Sequence, residues 1–394
     1  MERADVAIIG GGLIGCAAAW RLAQRGARVV LLEAGEHNAG ASGQNAGSLH
    51  FQLERRFLEQ GEALAEQAAR IATLNVLAVA DWRAIECELG ADLHVSMAGG
   101  LMVAETREEV ALLEAKAARE AAAGLAVRLI DGDAARALAP YLAKSVIAAC
   151  HLTDEGHADP RALTPALAAA ARAAGAAIRE GCRVEAIKTP APGRFVLRTA
   201  AGGVTAAQLL IAAGAWSASV AAMANIHLPM VPVALQMNAT ERIAPAIPHL
   251  IQHVGRRLSL KQAHAGNVLI GGGWPARMAV RSDGGFDLAR RPALSETSLA
   301  GNLRAAIDVV PMLARLNLIR TWTGTTAITA DQLPIVGPVP RLPGLWVAGG
   351  GSAFTLGLTF ARLIANAMGG ERVRELDLFG PARFDHLNSF MGAA

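Results

Sequence analysis

Ile9-Gly10-Gly11-Gly12-Leu13-Ile14-Gly15 is the stretch that decides the fold. Before it, Asp5 to Ile9 is a short apolar, β-branched run. After it, Leu13 to Gln24 is an alanine-rich helical pattern ending at Gly26, and Val29 to Leu32 is a second apolar run closed by Glu33. Strand, glycine turn, helix and strand in that order make a βαβ unit. Gly10 permits the tight turn out of the strand, Gly12 lets backbone approach a pyrophosphate, and Gly15 lets helix and strand pack closely. Anion and helix N-terminus attract. Glu33 lies 18 residues past Gly15, where a carboxylate accepts hydrogen bonds from both hydroxyls of an adenosine ribose. An acid there disfavours a 2′-phosphate, so NADP does not fit. The unit alone leaves FAD and NAD both open.

A chain of 394 residues has room for two ordinary domains and can bury a core without disulfides or metals. Its 53% hydrophobic content is mostly alanine spread among Arg and Glu, and no uninterrupted apolar stretch reaches the roughly 18 residues of a membrane span. The most apolar region, Leu209 to Leu235, is broken by Ser217, Ser219, Asn225, His227, Pro229 and Pro232, and predicts strand, loop and strand. The N-terminus has no charged-then-apolar leader, which implies a cytoplasmic address. Cys16, Cys87, Cys150 and Cys182 are widely spaced without a C-x-x-C pair. That argues against a zinc, iron–sulfur or disulfide framework. A net charge of +3 with acids and bases mixed gives no basic stripe for nucleic acid. Composition points to a small-molecule partner.

Residues 53–90 read as helical, followed by a strand at Gly100–Ala104 and a helix from Glu105 to Ala123. A helix opens at Asp159-Pro160, and Phe195–Thr199 pairs with Val204–Ile211 as a hairpin. Strand patterns recur at Met230–Thr240, Leu258–Gln262 and Val268–Gly271. Asn302 to Leu316 reads as helix, then a turn-rich segment, a strand at Leu345–Ala348 and a last helix at Ala361–Met368. No long linker separates two halves, so two interleaved domains are expected.

Four further segments carry a resemblance: Gly40-Ala41-Ser42-Gly43-Gln44-Asn45-Ala46-Gly47-Ser48, Asp154-Glu155-Gly156-His157-Ala158-Asp159-Pro160, Ala212-Ala213-Gly214-Ala215-Trp216-Ser217, and Thr329-Ala330-Asp331-Gln332-Leu333-Pro334-Ile335-Val336-Gly337 with its downstream Gly349-Gly350-Gly351. In that order they resemble the flavin oxidoreductase family of D-amino-acid oxidase, glycine oxidase and sarcosine oxidase. The resemblance implies an α/β fold: a Rossmann-like FAD-binding domain of glutathione-reductase type, interleaved with an α+β substrate domain holding a mostly antiparallel sheet. The boundaries expected are 1–86, 150–227 and 321–394 for the first, 87–149 and 228–320 for the second.

It implies FAD contacts from Gly10, Gly12, Leu13, Ile14, Gly15, Glu33 and Ala34, and from Ser42, Gly43, Asn45, Ala46, Gly47 and Ser48 beside the flavin. Val184 would hold the adenine, with Ala213, Gly214 and Trp216 nearby. Gly350, Gly351, Ser352, Phe354 and Thr355 would open a helix whose dipole stabilises negative charge at the flavin N1–C2=O locus.

The activity implied is oxidation of a C–N bond beside a carboxylate by hydride transfer to flavin N5. Three departures from the family stand out. Thr326 occupies the position of the carboxylate-binding arginine, and apolar Val268–Leu269 the position of the lysine that promotes reaction with oxygen. Gly324 stands where a covalent flavin link uses cysteine, so non-covalent FAD is expected. With residues 43–50, these departures resemble the flavin subunits of multi-subunit dehydrogenases, which include opine and D-hydroxyproline dehydrogenases and hydrogen cyanide synthase. The partners implied are a small amino-acid-like substrate and redox subunits. His50 and Thr326 are the substrate-facing candidates for catalysis, and Gln52, Lys261 and Thr325 those for substrate binding. A solvent-facing role for Lys261 competes with this, and Tyr141, His151, His157 and His264 read as structural or exposed. A stand-alone oxidase, a non-catalytic flavin relay or assembly component, and an NAD-linked dehydrogenase are the alternatives.

Overall fold

The glycine stretch folds as its pattern dictates, with β1 (Glu2–Ile9), α1 (Leu13–Gln24) and β2 (Val29–Leu32) in succession. The computed structural model describes residues 1–59 and 61–392. Next along the chain come β3 (Ser48–Leu49), α2 (Ile71–Leu89), β4 (Gly100–Ala104), α3 (Arg107–Ala122), β5 (Arg128–Asp131), β6 (Ala148–Leu152), β7 (Gly156–His157) and α4 (Pro160–Ala173). They are followed by β8 (Ala177–Arg179), β9 (Val184–Ala191), β10 (Arg194–Thr199), β11 (Gly202–Ile211), β12 (Met230–Arg242), β13 (Leu250–His253), β14 (Ser259–Gln262) and β15 (Asn267–Gly271). Last are α5 (Glu296–Val309), β16 (Leu318–Thr329), β17 (Ile335–Pro338), β18 (Leu345–Gly349) and α6 (Ala353–Met368).

Two large sheets result. The first runs β17-β18-β11-β1-β2-β8, with the β9–β10 hairpin joined through β11. β1 is parallel to β2 and β11, and β11 to β18. A parallel sheet is covered on both faces, which is why β1 and β2 are nearly continuous apolar runs. Ile8 and Leu31 enter the core shared with α1, α4 and α6, while Ala7, Ile9, Val30 and Leu32 enter the core on the hairpin side.

The second sheet is mostly antiparallel, in the order β16-β12-β15-β14-β13-β4-β6-β5. Its strands come from two stretches, 100–152 and 230–329, inserted between segments of the first sheet. β6 and β16 pair within it throughout, so the expected boundaries at 149/150 and 320/321 each fall inside one of its strands. The two-residue ladder β3–β7 pairs Ser48 with His157. It clips the loop after the βαβ unit to the turn before α4.

Four local expectations change. Residues 53–90 are not one helix, because Phe51, Leu53 and Phe57 turn inward to the core around a 3₁₀ turn at Arg55–Phe57, with helices following at Glu62–Ala69 and α2. α5 begins at Glu296, where Ser295 Oγ accepts the Ser298 N–H, and ends before Pro311. α6 begins at Ala353, eight residues before the expected Ala361. The segment Leu318–Thr329, expected to be turns, is the edge strand β16, a run of β-branched and aromatic residues held by β12 along its length. No helix among the described residues is long and apolar enough to cross a membrane.

Candidate functional site

Gly10 has φ +114, and a Cβ there would run into the carbonyl of Ala212, so β1 and β11 can be crossed this closely only by glycine. The Gly11 N–H donates to Glu33 Oε2 at 2.7 Å and the Gly35 N–H to Glu33 Oε1 at 2.8 Å. The Cys182 N–H reaches the Glu33 carbonyl at 2.7 Å, which brings Val184 and the start of β9 beside the acid. Next to Glu33 lies an open depression of about 650 Å³ lined by Gly35, Glu36, His37, Glu180 and Gly181. Ala34 lies between Glu33 and this depression in sequence. Gly214, with φ +53, faces open space in the turn after β11, flanked by Ala213 and Trp216.

Loop 42–50 crosses from this end to the other. Ser42 Oγ accepts the Leu13 N–H at 2.9 Å, at the first turn of α1. The His50 N–H donates to Thr355 Oγ1 at 3.1 Å, in the first turn of α6. Asn45 stiffens the loop between them, accepting the Gly47 N–H at 2.6 Å and donating to the Ala41 and Ser42 carbonyls. Gly43 packs on Asn38, and Gly47, with φ +75, on Ala158; Ala46 and Ser48 complete the span. From the opposite side, Trp322 Nε1 donates to the Gln44 carbonyl at 2.7 Å.

The helix starts at the two ends of this loop differ from those that carry a side-chain cap. Thr106 caps α3, Asp131 the helix Gly132–Leu138, Asp159 α4 and Ser295 α5. α1 starts after Gly12 and α6 after Ser352, which has φ +58, and neither has a side-chain cap bond or an acid in its first turn. Orphan N–H groups and the positive end of the dipole are therefore left for an external anion or developing charge at both places. Gly10–Gly15 and Gly350–Thr355 fit a dinucleotide stretched between them, with a diphosphate at α1 and a flavin pyrimidine edge at α6. Arg56 adds positive charge beside Gly351, donating to Ser352 Oγ at 2.9 Å and to Glu54 at 3.2 Å. Burial opposes ionisation of Glu54, yet Arg56, His50 and Ser352 bring its carboxyl down to about 2.

The second sheet packs against loop 42–50 through Trp322 and Gly324, and this loop-facing side is its cleft side. From Ala234 to Asn238 on β12 and from Asn267 to Ile270 on β15, buried residues alternate with half-buried ones. Asn238, Val268 and Ile270 face α5, and Leu235, Met237 and Leu269 face the loop. The same alternation puts Trp322, Gly324 and Thr326 on the cleft side of β16. Thr325 falls on the opposite face, with Thr321 and Thr323, which bond away from the cleft to Asn238 and the Pro292 carbonyl. That corrects its expected role in substrate binding.

Lys261 is in register with Leu269 and shares its cleft-side face. It is 1% exposed, so it is not the solvent-facing lysine that the sequence also allowed. Burial pushes its amine well below the ordinary lysine range, opposed only by Asp159. No hydrogen-bond or ion-pair partner meets its Nζ among the described residues.

His50 lies beside it. Its Nε2 is 3.3 Å from Ser259 Oγ, and its Nδ1 is buried without a partner. Burial lowers the imidazole pKa first of all, with Lys261 and Arg56 adding to this and Glu54 and Gln252 opposing it. His157 Nδ1 is also enclosed without a partner.

Gln52 does not face the cleft. Its amide is saturated by Glu155 Oε2 at 2.7 Å and Lys116 Nζ at 2.8 Å, which corrects the substrate-binding expectation. It belongs to a fully buried network that single-residue reasoning missed. Lys116 pairs with Glu120 Oε2 at 2.7 Å, Glu120 accepts the Leu53 N–H, and Glu155 also accepts from Gln252 Nε2 at 3.3 Å. Burial raises Glu155 to about 7, and the hydrogen bonds from Gln52 only partly offset that. Glu155 lies inside one of the recognised motifs, but nothing in that motif shows that Gly100 leaves the space its carboxylate fills. Tyr141 bonds to His249 Nδ1 at 2.8 Å beside the α5-side core, away from loop 42–50.

The family described as FAD dependent oxidoreductase matches residues 5–367. A subunit of the opine oxidase of Rhizobium meliloti is 26% identical over 398 residues, covering 98% of this chain and 99% of its own. Glycine oxidase of Geobacillus kaustophilus is 30% identical over 350 residues, covering 89% of this chain and 88% of its own. The crystal structure of glycine oxidase from Geobacillus kaustophilus superposes with a TM-score of 0.82 at 26% identity, covering 98% of both chains.

Proposed function

This chain belongs to the FAD dependent oxidoreductase family, and on that footing we propose that it oxidises the C–N bond of an amino acid or N-substituted amino acid. The substrate class is that of D-amino acids, secondary amines, opines and D-hydroxyproline, and the chain acts as the flavin subunit of a larger assembly. One observation carries the reading. A single loop joins two helix starts whose own N-cap residues make no side-chain bond, and beneath it lies a buried amine with no partner among the described residues. Bound FAD, held without a covalent link, supplies the hydride acceptor.

The remaining work falls to side chains of this chain. Lys261 binds the substrate carboxylate, which restores the charge of its ammonium, and Thr326 offers a hydroxyl on the same face. His50, kept neutral by burial, takes the proton that leaves the substrate ammonium. Leu235, Met237 and Leu269 keep water from the reacting carbon.

A role within a larger assembly is supported by the full-length likeness to a protein that is itself one subunit of an opine oxidase. Four cysteines free of disulfides, three of them buried, suit a reducing cytoplasm. A second reading, a stand-alone oxidase, is favoured by Lys261. It places an amine on the strand next to the apolar position where the family's oxygen-promoting lysine was missing.

Anaerobic mixing of the FAD-loaded protein with D-amino acids, N-methyl amino acids, D-hydroxyproline and opines tests the proposal by bleaching of the flavin band. No bleaching with any of them overturns it. Dye reduction by the isolated chain contradicts a non-catalytic relay, and fast reoxidation in air favours the stand-alone oxidase.

A further inference from the structure

The chain has four lysines, and their amines stand in three different states. Lys144 and Lys188 are exposed. Lys116 is fully buried and already paired, with Glu120 Oε2 at 2.7 Å and Gln52 Oε1 at 2.8 Å. Lys261 is buried too, yet no acceptor meets its Nζ among the described residues. The one acid that acts on it, Asp159, is engaged elsewhere. It accepts the Arg161 N–H at 2.8 Å, pairs with the Arg161 guanidinium at 3.3 Å and has His264 Nε2 at 3.9 Å. Nor is the amine walled in. His50 Nδ1 and His157 Nδ1 are enclosed without partners but Lys261 Nζ is not, so the 1% of this residue left open includes its nitrogen. On β14 it belongs to the cleft-side face, across from Leu269. A lone ammonium in such a place is costly, so with no anion bound the amine is neutral. A neutral, desolvated lysine amine has a free lone pair and attacks carbonyl carbon.

We propose that Lys261 is a covalent capture site for α-oxo acids, its Nζ condensing with the oxo carbon to form a Schiff base in the cleft. Its place in turnover rests on the function proposed above, since an α-oxo acid is what hydrolysis leaves when the C–N bond of an open-chain amino acid is oxidised. In the step, the Nζ lone pair forms the new C–N bond and the carbonyl π pair moves to oxygen. That oxygen then leaves as water with the two protons Nζ gives up, and nothing is oxidised or reduced. A proton from solvent completes the iminium. The carboxylate on the next carbon pairs with its charge, so the buried cation forms together with its own counter-ion. A plain aldehyde brings no counter-ion, which is why the site selects α-oxo acids. The captured acid fills the seat of the substrate carboxylate, so product holds the enzyme back until the Schiff base hydrolyses.

The experiment incubates the FAD-loaded protein with pyruvate and cyanoborohydride at about pH 7, where an ordinary lysine amine is almost wholly protonated. Peptide mass spectrometry then maps the trapped N-carboxyethyl groups. Lys261 is expected to label at least about tenfold faster than Lys144 and Lys188, and this preference is expected to be larger with pyruvate than with acetaldehyde. Benzoate, a carboxylate with no carbonyl open to attack, should slow Lys261 and leave Lys144 and Lys188 as they were. Unfolding in denaturant should bring the lysines near one rate. Labelling of Lys261 no faster than Lys144 and Lys188 overturns the proposal, and so does a preference that survives unfolding. A preference equally large with acetaldehyde overturns the choice of α-oxo acids. The two readings fail separately. Selective labelling in a protein whose flavin no amine bleaches keeps the capture site and removes the function, and bleaching with unselective labelling does the reverse.

Discussion

Lys261 on β14 and Leu269 on β15 stand side by side in register, on the face of the second sheet turned to loop 42–50. The lysine side chain absent at the apolar position is thus present one strand away, buried and without a hydrogen-bond or ion-pair partner among the described residues.

A buried amine without a partner costs stability even when neutral, and its retention makes sense only if something binds it. Lys261→Met should leave the melting temperature unchanged or raise it. KM for a carboxylate-bearing substrate should rise about ten- to a hundredfold, or ~1.4–2.8 kcal/mol. Thermal melts and titration of the flavin spectrum with a carboxylate inhibitor measure the two arms. A fall in melting temperature with unchanged affinity would falsify the assignment.

Glu33 holds the Gly11 N–H of the glycine turn and the Gly35 N–H just after β2. Glu33→Gln keeps one acceptor oxygen and loses the charge. FAD retained through gel filtration should drop, with affinity about ten- to a hundredfold weaker, since hydrogen bonds to a charged group are worth about 1.5–3 kcal/mol. Circular dichroism should be unchanged.

Trp322 ties the edge strand to Gln44. Trp322→Phe removes that bond and keeps most of the packing, so FAD should bind about fivefold more weakly, near 1 kcal/mol. Fluorescence titration reads this, and tighter binding would show that the tie strains the loop.

His157 and Glu155 pull stability in opposite directions with pH. Burial, helped by Lys261 and His264, lowers His157 to about 3, while the unfolded chain binds that proton near the ordinary histidine value of 6.5. Its contribution is therefore complete above about 6.5 and is lost as pH falls toward 3, at up to about 1.4 kcal/mol per pH unit. Glu155, raised to about 7 from 4.5, contributes fully below about 4.5 and loses that contribution as pH rises to 7. His157→Gln should gain on wild type as pH is lowered from 6.5, and Glu155→Gln should gain as pH is raised from 4.5. Melting curves across about pH 4.5–8 decide both, and parallel curves would refute the burial argument.

What the sequence shows and hides follows from range. Gly10 to Glu33 is legible because turn, helix and acid lie within one βαβ unit, where local periodicity and glycine sterics settle the outcome. Asn45 and Ser42 are legible only through a motif, since their partners are the loop itself and α1. Thr325 and Thr326 cannot be told apart until the register of β16 on β12 fixes which one faces the cleft. Glu155, Gln252 and Lys116 are invisible for a related reason, because they meet only when β4, β13 and α3 are assembled around Gln52.

The order of segments along the chain bears on how the enzyme is made. The first sheet is complete only when β18 joins β11, and α6 begins after that, at Ala353. On the ribosome the turn at Gly10–Gly15 emerges before either sheet is complete, while the helix start proposed as the opposite anchor of the cofactor emerges after the strands of both sheets. On the function proposed above, a nascent chain stopped before Ala353 would carry the proposed diphosphate seat without the proposed flavin seat, and stable loading of FAD would wait for α6. On that reading free FAD would act as a late checkpoint on the folded chain, and riboflavin-starved cells should accumulate protein that proteases cut readily.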